Sequence, residues 1–213
     1  MADDMPHRSG ALTGRRIAVL LESDFFEPEI LYYERRFAEE GAEVHFLTRL
    51  WGQPQLTFTG HEWRVPHPAS RDLQLDDEQL RSYAALIVPG GMVADRLRYT
   101  EDVDRPSPAT ELVVRALAEP SVVTGIICHG MWLMAAAPEA VRGRRVVVHN
   151  NLAADARNMG AIYVDDDVVV DGRLVTARTA HHCHLFARTL IDIITAETAP
   201  ASAGPVPAAA AIA

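Results

Sequence analysis

Ser121-Val-Val-Thr-Gly-Ile-Ile-Cys-His-Gly-Met-Trp-Leu-Met134 is the stretch from which the rest of the chain is read. Val122 to Ile127 is a short, apolar, β-branched run, the signature of a strand buried on both faces of a parallel sheet. Gly130 to Ala137 carries small and long apolar residues with no early breaker, and it predicts a helix. Cys128 then falls on the turn between a strand's end and a helix's start, where a nucleophile is lifted above the sheet. The positive end of that helix is expected to favour thiolate over thiol and so lower the cysteine pKa. Gly130 leaves room for a tight turn and for close approach of the backbone to a ligand. A cysteine taken alone is more often a buried structural residue than a nucleophile. The strand–Cys-His-Gly–helix context favours the nucleophile.

Working outward, Arg16 to Glu22 reads as the first strand, and Pro28 suits the first turn of a helix that Gly41 ends after Glu40. Glu43 to Thr48 is the second strand, so the chain opens as strand–helix–strand, the start of a parallel α/β sheet. Residues 51–67 read as turns with room for a small hairpin, Asp76 to Tyr83 as a short helix and Ala84 to Val88 as the third strand. Pro89-Gly-Gly91 closes that strand with a turn, and Met92 to Arg98 starts a further helix. Ser107 caps a helix over Pro106 to Glu119. After the cysteine come a strand at Arg145 to Val148, a helix over Ala153 to Met159 and a strand at Ala161 to Val164. A hairpin turning at Asp171-Gly172 and a last helix from His182 to Ala196 complete the pattern. The division is a flexible arm over 1–13, one α/β domain over 14–198 and a disordered Ala/Pro tail over 199–213.

The bulk composition narrows the function. With 213 residues, 48% of them hydrophobic, the chain can build one well-buried core. A net charge of −9 argues against a nucleic-acid partner, which needs a basic face. No apolar run approaches membrane-spanning length and the N-terminus has no signal-peptide core, so no membrane partner and a cytoplasmic location are expected. Two cysteines, Cys128 and Cys183, make no disulfide framework and fit a reducing compartment.

Open α/β sheets bind ligands at the carboxyl ends of their strands, and the chemistry-bearing residues gather there. Glu27 and Glu29 follow the first strand, Gly90 and Gly91 the third, and Cys128 and His129 the central one; His149, His181 and His182 follow later strands. Taken singly, each is more often a solvated loop residue than a functional one. Together, Gly90, Gly91, Gly130, Trp132, His149, His181 and His182 are the candidate substrate-binding residues.

At these residues the chain resembles the ThiJ/PfpI superfamily over about residues 15–197. The resemblance rests on Ile127-Cys-His-Gly130, Val88-Pro-Gly-Gly91, Ala94-Asp-Arg-Leu-Arg98, Phe26-Glu-Pro-Glu29 and Val169-Val-Asp-Gly172 with Leu174-Val-Thr-Ala-Arg178. It implies a flavodoxin-like three-layer sandwich, a mostly parallel central sheet with helices on both faces. Cys128 would be the nucleophile, and Glu29 the carboxylic acid that hydrogen-bonds its sulfur and stays protonated beside it. His129 would be the general base, oriented by Asp95 of a neighbouring subunit, and the Gly91 and His129 N–H groups the oxyanion site. Two departures stand out: Asp95 replaces the family's usual Glu and is one methylene shorter, and Phe26 stands where many members have a further acid, a place Glu27 either takes or leaves for solvent.

His181 and His184 have helical i, i+3 spacing and, with His149, form a weak metal candidate; the spacing of known zinc motifs is missing, so no metal and no cofactor are expected. The function that results is a cysteine-nucleophile enzyme acting on a small carbonyl-type electrophile, glyoxalase/deglycase-like or hydrolase/hydratase-like, with His129 and Glu29 handling protons. The alternative is a non-enzymatic redox-sensing or chaperone-like stress protein that uses Cys128 as its oxidation site. The partners expected are a small-molecule substrate and a second copy of the chain, in a homodimer or larger homo-oligomer.

Overall fold

The computed structural model describes residues 10–196. In chain order the strands and α-helices are β1 (Arg16–Leu20), α1 (Glu27–Glu39), β2 (Glu43–Thr48), β3 (Leu56–Thr59), β4 (Pro66–Ala69), β5 (Arg71–Asp72), α2 (Asp77–Arg81) and β6 (Ala85–Val88). They continue with α3 (Val93–Leu97), α4 (Pro108–Ala118), β7 (Val123–Ile127), β8 (Arg145–Val146), α5 (Ala153–Asn158), β9 (Ile162–Tyr163), β10 (Val168–Asp171), β11 (Leu174–Ala177) and α6 (Cys183–Ala196). The central sheet has seven strands in the order β10-β11-β7-β6-β1-β2-β5. Every neighbouring pair is parallel except β10 with β11.

Sequence chemistry explains the layers. β1, β6, β7 and β11 are almost continuously apolar, and they lie side by side at the centre, where both faces must be covered. α1 and α6 pack against each other on one face, while α4 packs on β7 from the other. Gly125 sets the spacing on the first face, because a Cβ there would meet the Phe186 ring of α6 at 2.5 Å. Helix ends follow the expected chemistry: Pro28 opens α1, the Ser107 hydroxyl accepts from the Thr110 N–H at the head of α4, and Gly41 (φ 82°) lets the chain leave the end of α1. The flavodoxin-like sandwich expected from the resemblance is the fold observed.

Some expectations need correction, though the helix expected after Cys128 is present, as a 3-10 helix over Cys128–Ala136. It is held close to the sheet: a Cβ on Gly130 would lie 2.7 Å from the Val88 carbonyl, and Thr110 of α4 donates to the Leu133 carbonyl at 3.0 Å. β8 and β9 do not extend the main sheet but pair with each other in a separate parallel ladder, β8 also lying against β10 and β11. Residues 10–13 belong to the packed body, with Leu12 buried and its N–H donating to the Glu40 carbonyl. Residues 1–9 and the expected Ala/Pro tail lie outside the described residues. Among the described residues no helix is long and apolar enough to cross a membrane.

Candidate active site

Cys128 closes β7 with φ 59°, a left-handed conformation that a non-glycine residue adopts only under constraint. The constraint comes from both sides: Ile127 is still an extended strand residue, and the 3-10 helix starts at once. The side chain is only 7% exposed, and the N–H groups of His129, Ala180 and Gly91 reach its sulfur. Gly91 contributes because it too is left-handed (φ 69°) and sits where a Cβ would crowd the Asp24 carbonyl at 3.0 Å. His129 and Gly91 were expected here. The Ala180 N–H was not legible beforehand, since it arrives from a loop more than fifty positions downstream.

Glu29, in the first turn of α1, is fully buried, and its carboxylate accepts from the Gly90 N–H at 3.1 Å. Gly90 is the hinge of the arrangement: a Cβ there would lie 3.0 Å from both Cys128 Cβ and a Glu29 oxygen. Burial outweighs the Gly90 N–H and the neighbouring Tyr33 hydroxyl and pushes the Glu29 pKa up to about 8. Burial, reinforced by the Glu29 charge, likewise pushes the Cys128 thiol up to about 11, against the N–H groups that favour the thiolate. The expected lowering of the thiol pKa is therefore reversed. The 3-10 helix and its amides do favour the anion, but desolvation and a carboxyl neighbour cost more.

His129 Nδ1 stands 3.2 Å from Cys128 Sγ. Its ring lies 4.7 Å from the His149 ring and edge-on to Trp132 at 5.0 Å. Burial first, and the nearby His149 second, hold the His129 pKa below its ordinary value of 6.5. His149 in turn accepts the Asn151 N–H on Nδ1, which fixes the ring at the head of a short 3-10 turn. Trp132 also carries the Arg98 guanidinium, 5.6 Å from the ring centre, and Arg98 pairs with Asp95 at 3.6 Å. Asp95, 39% exposed, is thus linked to the His129 surroundings through Arg98 and Trp132.

The later histidines separate. His181 stays at the rim, 5.8 Å edge-on to Phe26, whose ring also lies 5.6 Å from His61 of the β3–β4 turn. Phe26, His61 and His181 thus form a small ring cluster that the linear sequence did not bring together. His182, the other candidate from this run, is engaged by its neighbours: Nδ1 meets the Thr179 hydroxyl at 2.8 Å and Nε2 lies 3.3 Å from Asp167. His184 is exposed on α6, with Nδ1 3.2 Å from the His181 carbonyl. His149, His181 and His184 do not converge, and among the described residues no group of three His, Cys, Asp or Glu side chains could hold a metal. Glu27 neither replaces the acid absent at Phe26 nor faces solvent. It is buried and accepts the N–H groups of Glu62, Trp63 and Val65.

A covered, mostly parallel sheet with a left-handed cysteine at the carboxyl end of a central strand defines a flavodoxin-like protein of the strand–cysteine–helix elbow type. The DJ-1/PfpI family model matches residues 15–193, and the chain belongs to that family. An uncharacterized protein of Archaeoglobus fulgidus is 32% identical over 179 residues, covering 84% of this chain and 98% of its own. A protein of Pyrococcus horikoshii named a deglycase is 28% identical over 180 residues, covering 84% and 99%. Among solved structures, a two-domain protein of Anabaena variabilis with DJ-1/ThiJ/PfpI-like and ferritin-like domains superposes with a TM-score of 0.74 at 22% identity. That match takes in 84% of this chain and 48% of the Anabaena protein, so the chain spans about half its length.

Proposed function

We propose that this protein is a cysteine-dependent enzyme that takes small carbonyl compounds, α-oxoaldehydes first among them, with Cys128 as the attacking group. The observation that carries the reading is the Cys128–His129 contact of 3.2 Å at a strained elbow whose sulfur is ringed by backbone N–H donors. The Pyrococcus relative named a deglycase adds weight to the substrate class.

With the thiol pKa raised and the His129 pKa lowered, the resting pair is neutral, thiol and imidazole, rather than an ion pair. The thiol proton passes to His129 Nδ1 as sulfur bonds to the carbonyl carbon, which requires the tautomer protonated on Nε2. The carbonyl oxygen takes the electron pair and is met by the N–H groups around the sulfur, then receives the proton back from His129 to give a hemithioacetal. With an α-oxoaldehyde, the sulfur-bearing carbon loses its proton as the neighbouring carbonyl oxygen gains one, giving an enediol. Protonation of the neighbouring carbon, with loss of the hydroxyl proton on the sulfur-bearing carbon, then gives a thioester, and water releases the 2-hydroxy acid and restores the thiol. Glu29, kept neutral by burial behind the Gly90 turn, adds no repelling charge beside the developing anion.

Methylglyoxal turnover measured across pH tests this reading. The rate falls on the acid side as His129 gains its proton, with the midpoint below 6.5 because burial and His149 both disfavour the cation. It falls again near pH 8, where Glu29 ionises beside the sulfur. Glu29→Gln removes the upper limb and leaves the lower one. A profile that climbs steadily past pH 9 in wild type and variant alike would sink the assignment of Glu29.

In this reading Asp95 of a second copy orients His129 across a dimer interface, since Asp95 of the same subunit faces Arg98. Asp95→Asn is then expected to lower kcat on the order of tenfold while KM and the dimer mass by light scattering stay unchanged. A monomeric mass for the active wild type would remove this role from Asp95.

A further inference from the structure

Asp24 lies in the corner between the end of β1 and the first turn of α1, and its φ of 61° is left-handed. Aspartate enters that region more readily than most side chains, but something must hold it there. The bonds that do so come from elements far apart in the chain. Its N–H donates to the Thr59 carbonyl at the end of β3, at 2.9 Å. Its carbonyl accepts the Met92 N–H at 3.2 Å and lies 3.1 Å from His61 Nδ1. Its carboxylate meets the Arg96 guanidinium of α3 at 2.6 Å and stands 3.8 Å from that of Arg64. One residue thereby ties the β3–β4 turn and the start of α3 to the corner after β1.

The turn held in this way is the one that faces the cysteine. A Cβ on Gly90 would lie 3.5 Å from Cys128 Sγ, and a Cβ on Gly91 would lie 3.0 Å from the Asp24 carbonyl and 3.2 Å from the Phe26 nitrogen. Three successive N–H groups then have three different acceptors. That of Gly90 goes to Glu29 at 3.1 Å, that of Gly91 to the Cys128 sulfur, and that of Met92 to Asp24. Glycine has wide backbone freedom, so the aim of the Gly91 N–H has to be set by its neighbours. Each peptide unit is planar, and fixing the units on both sides of Gly91 leaves its own N–H little room to turn. Arg96, further along α3, keeps the helix that continues the turn from swinging away.

We propose that Asp24 is a positioning residue for catalysis, holding the Gly90-Gly91-Met92 turn so that the Gly91 N–H stays aimed at the charge that gathers on the Cys128 sulfur and then on the carbonyl oxygen. This role rests on the reading of Cys128 as the attacking group. Asp24 works through Gly91 rather than on the substrate. The Asp24–Arg96 pair adds little to folding, since its side chains are 28% and 52% exposed. A small displacement of a preorganised donor, in contrast, is felt directly in the rate.

Asp24→Ala, Asp24→Asn and Arg96→Ala decide the matter, each read in two ways. With methylglyoxal, Asp24→Ala and Arg96→Ala are expected to lower kcat at least about fivefold while KM stays near wild type. The Cys128 thiolate band, taken as the difference from the same protein carrying Cys128→Ala, should be about threefold smaller at pH 9 in both, because the thiolate has lost a donor. Asp24→Asn can still accept from Arg96 through its amide oxygen and should recover most of both signals. The double variant should fall no further than the worse single one, as expected of two ends of one link. Arg96 is exposed, so Arg96→Ala keeps the wild-type melting temperature even if Asp24→Ala loses the corner. A folded Arg96→Ala with wild-type kcat and thiolate band overturns this role, and so does a rate that falls only in proportion to folded protein. If the wild type does not turn over methylglyoxal, the function proposed above fails, and the thiolate band alone then decides for or against Asp24.

Discussion

Cys128→Ala is expected to reduce methylglyoxal turnover by at least about 10³-fold while leaving the fold intact. The substitution removes one sulfur atom from a side chain that is 7% exposed, and alanine tolerates φ 59° as well as cysteine does. His129, Gly91 and Ala180 keep their places, because their positions depend on the 3-10 helix, the Gly90-Gly91 turn and the loop after β11 rather than on the sulfur. The residual activity then reads what these groups achieve with water alone. A neutral resting pair adds a second readout. Thiolate absorbance of the wild type at pH 7 should be small and should grow only well above neutrality, since burial and Glu29 hold the thiol proton on. A strong thiolate band at pH 7 would restore the ion-pair picture. Turnover that survives in Cys128→Ala would move the chemistry to another residue and leave Cys128 as an oxidation site.

The second large effect is on stability. Glu27→Ala is expected to cost about 2–4 kcal/mol, because it leaves three N–H groups of the β3–β4 turn without their shared acceptor. For a domain of this size, that lowers Tm by roughly 5–15 °C. Glu27 is seated tightly: a Cβ on Gly60 would overlap its carboxyl group. Burial works to raise its pKa, but the N–H groups of Glu62, Trp63 and Val65 win, and the net shift is downward. A carboxyl with a lowered folded pKa adds stability above its unfolded value of 4.5, and that contribution is lost as pH falls through the folded value. Glu29 has the opposite sign: its pKa of about 8 means that stability from this group falls as pH rises from 4.5 towards 8. Thermal melts at pH 5 and pH 8 should show wild type and Glu29→Gln diverging at the higher pH. Glu27→Ala should also free the turn that carries His61 and Trp63, seen as faster amide exchange over 60–65. Melting temperatures equal to wild type would show that water replaces Glu27 at no cost.

The elbow was legible because its determinants are local. A β-branched run, a cysteine and a glycine within nine positions specify a buried strand, a turn and a close approach, whatever the rest of the chain does. The helix after it was legible as well, but its 3-10 type was not, since the Val88 and Pro89 carbonyls facing Gly130 and the Thr110 hydroxyl on Leu133 bear on it from distant elements. The histidines show the same limit. His149 and His182 both follow strand-like runs, yet one stacks near His129 and the other is drawn off by Thr179 and Asp167. Side-chain direction in a loop depends on partners that periodicity does not reveal.

The sequence by itself determined the alternation of strands and helices, the strand that carries Cys128, the glycines that make the turns and the carboxyl-end placement of the reactive residues. These follow from hydrophobic period, capping and turn chemistry, which act over a few residues. Only the tertiary structure decided the charge states and the cast of neighbours. A buried thiol beside a buried carboxyl is neutral however favourable its helix end, Glu27 serves a loop nearly forty positions away, and the Ala180 N–H reaches a sulfur more than fifty positions earlier. Desolvation and convergence are properties of the packed chain, and no window of sequence contains them.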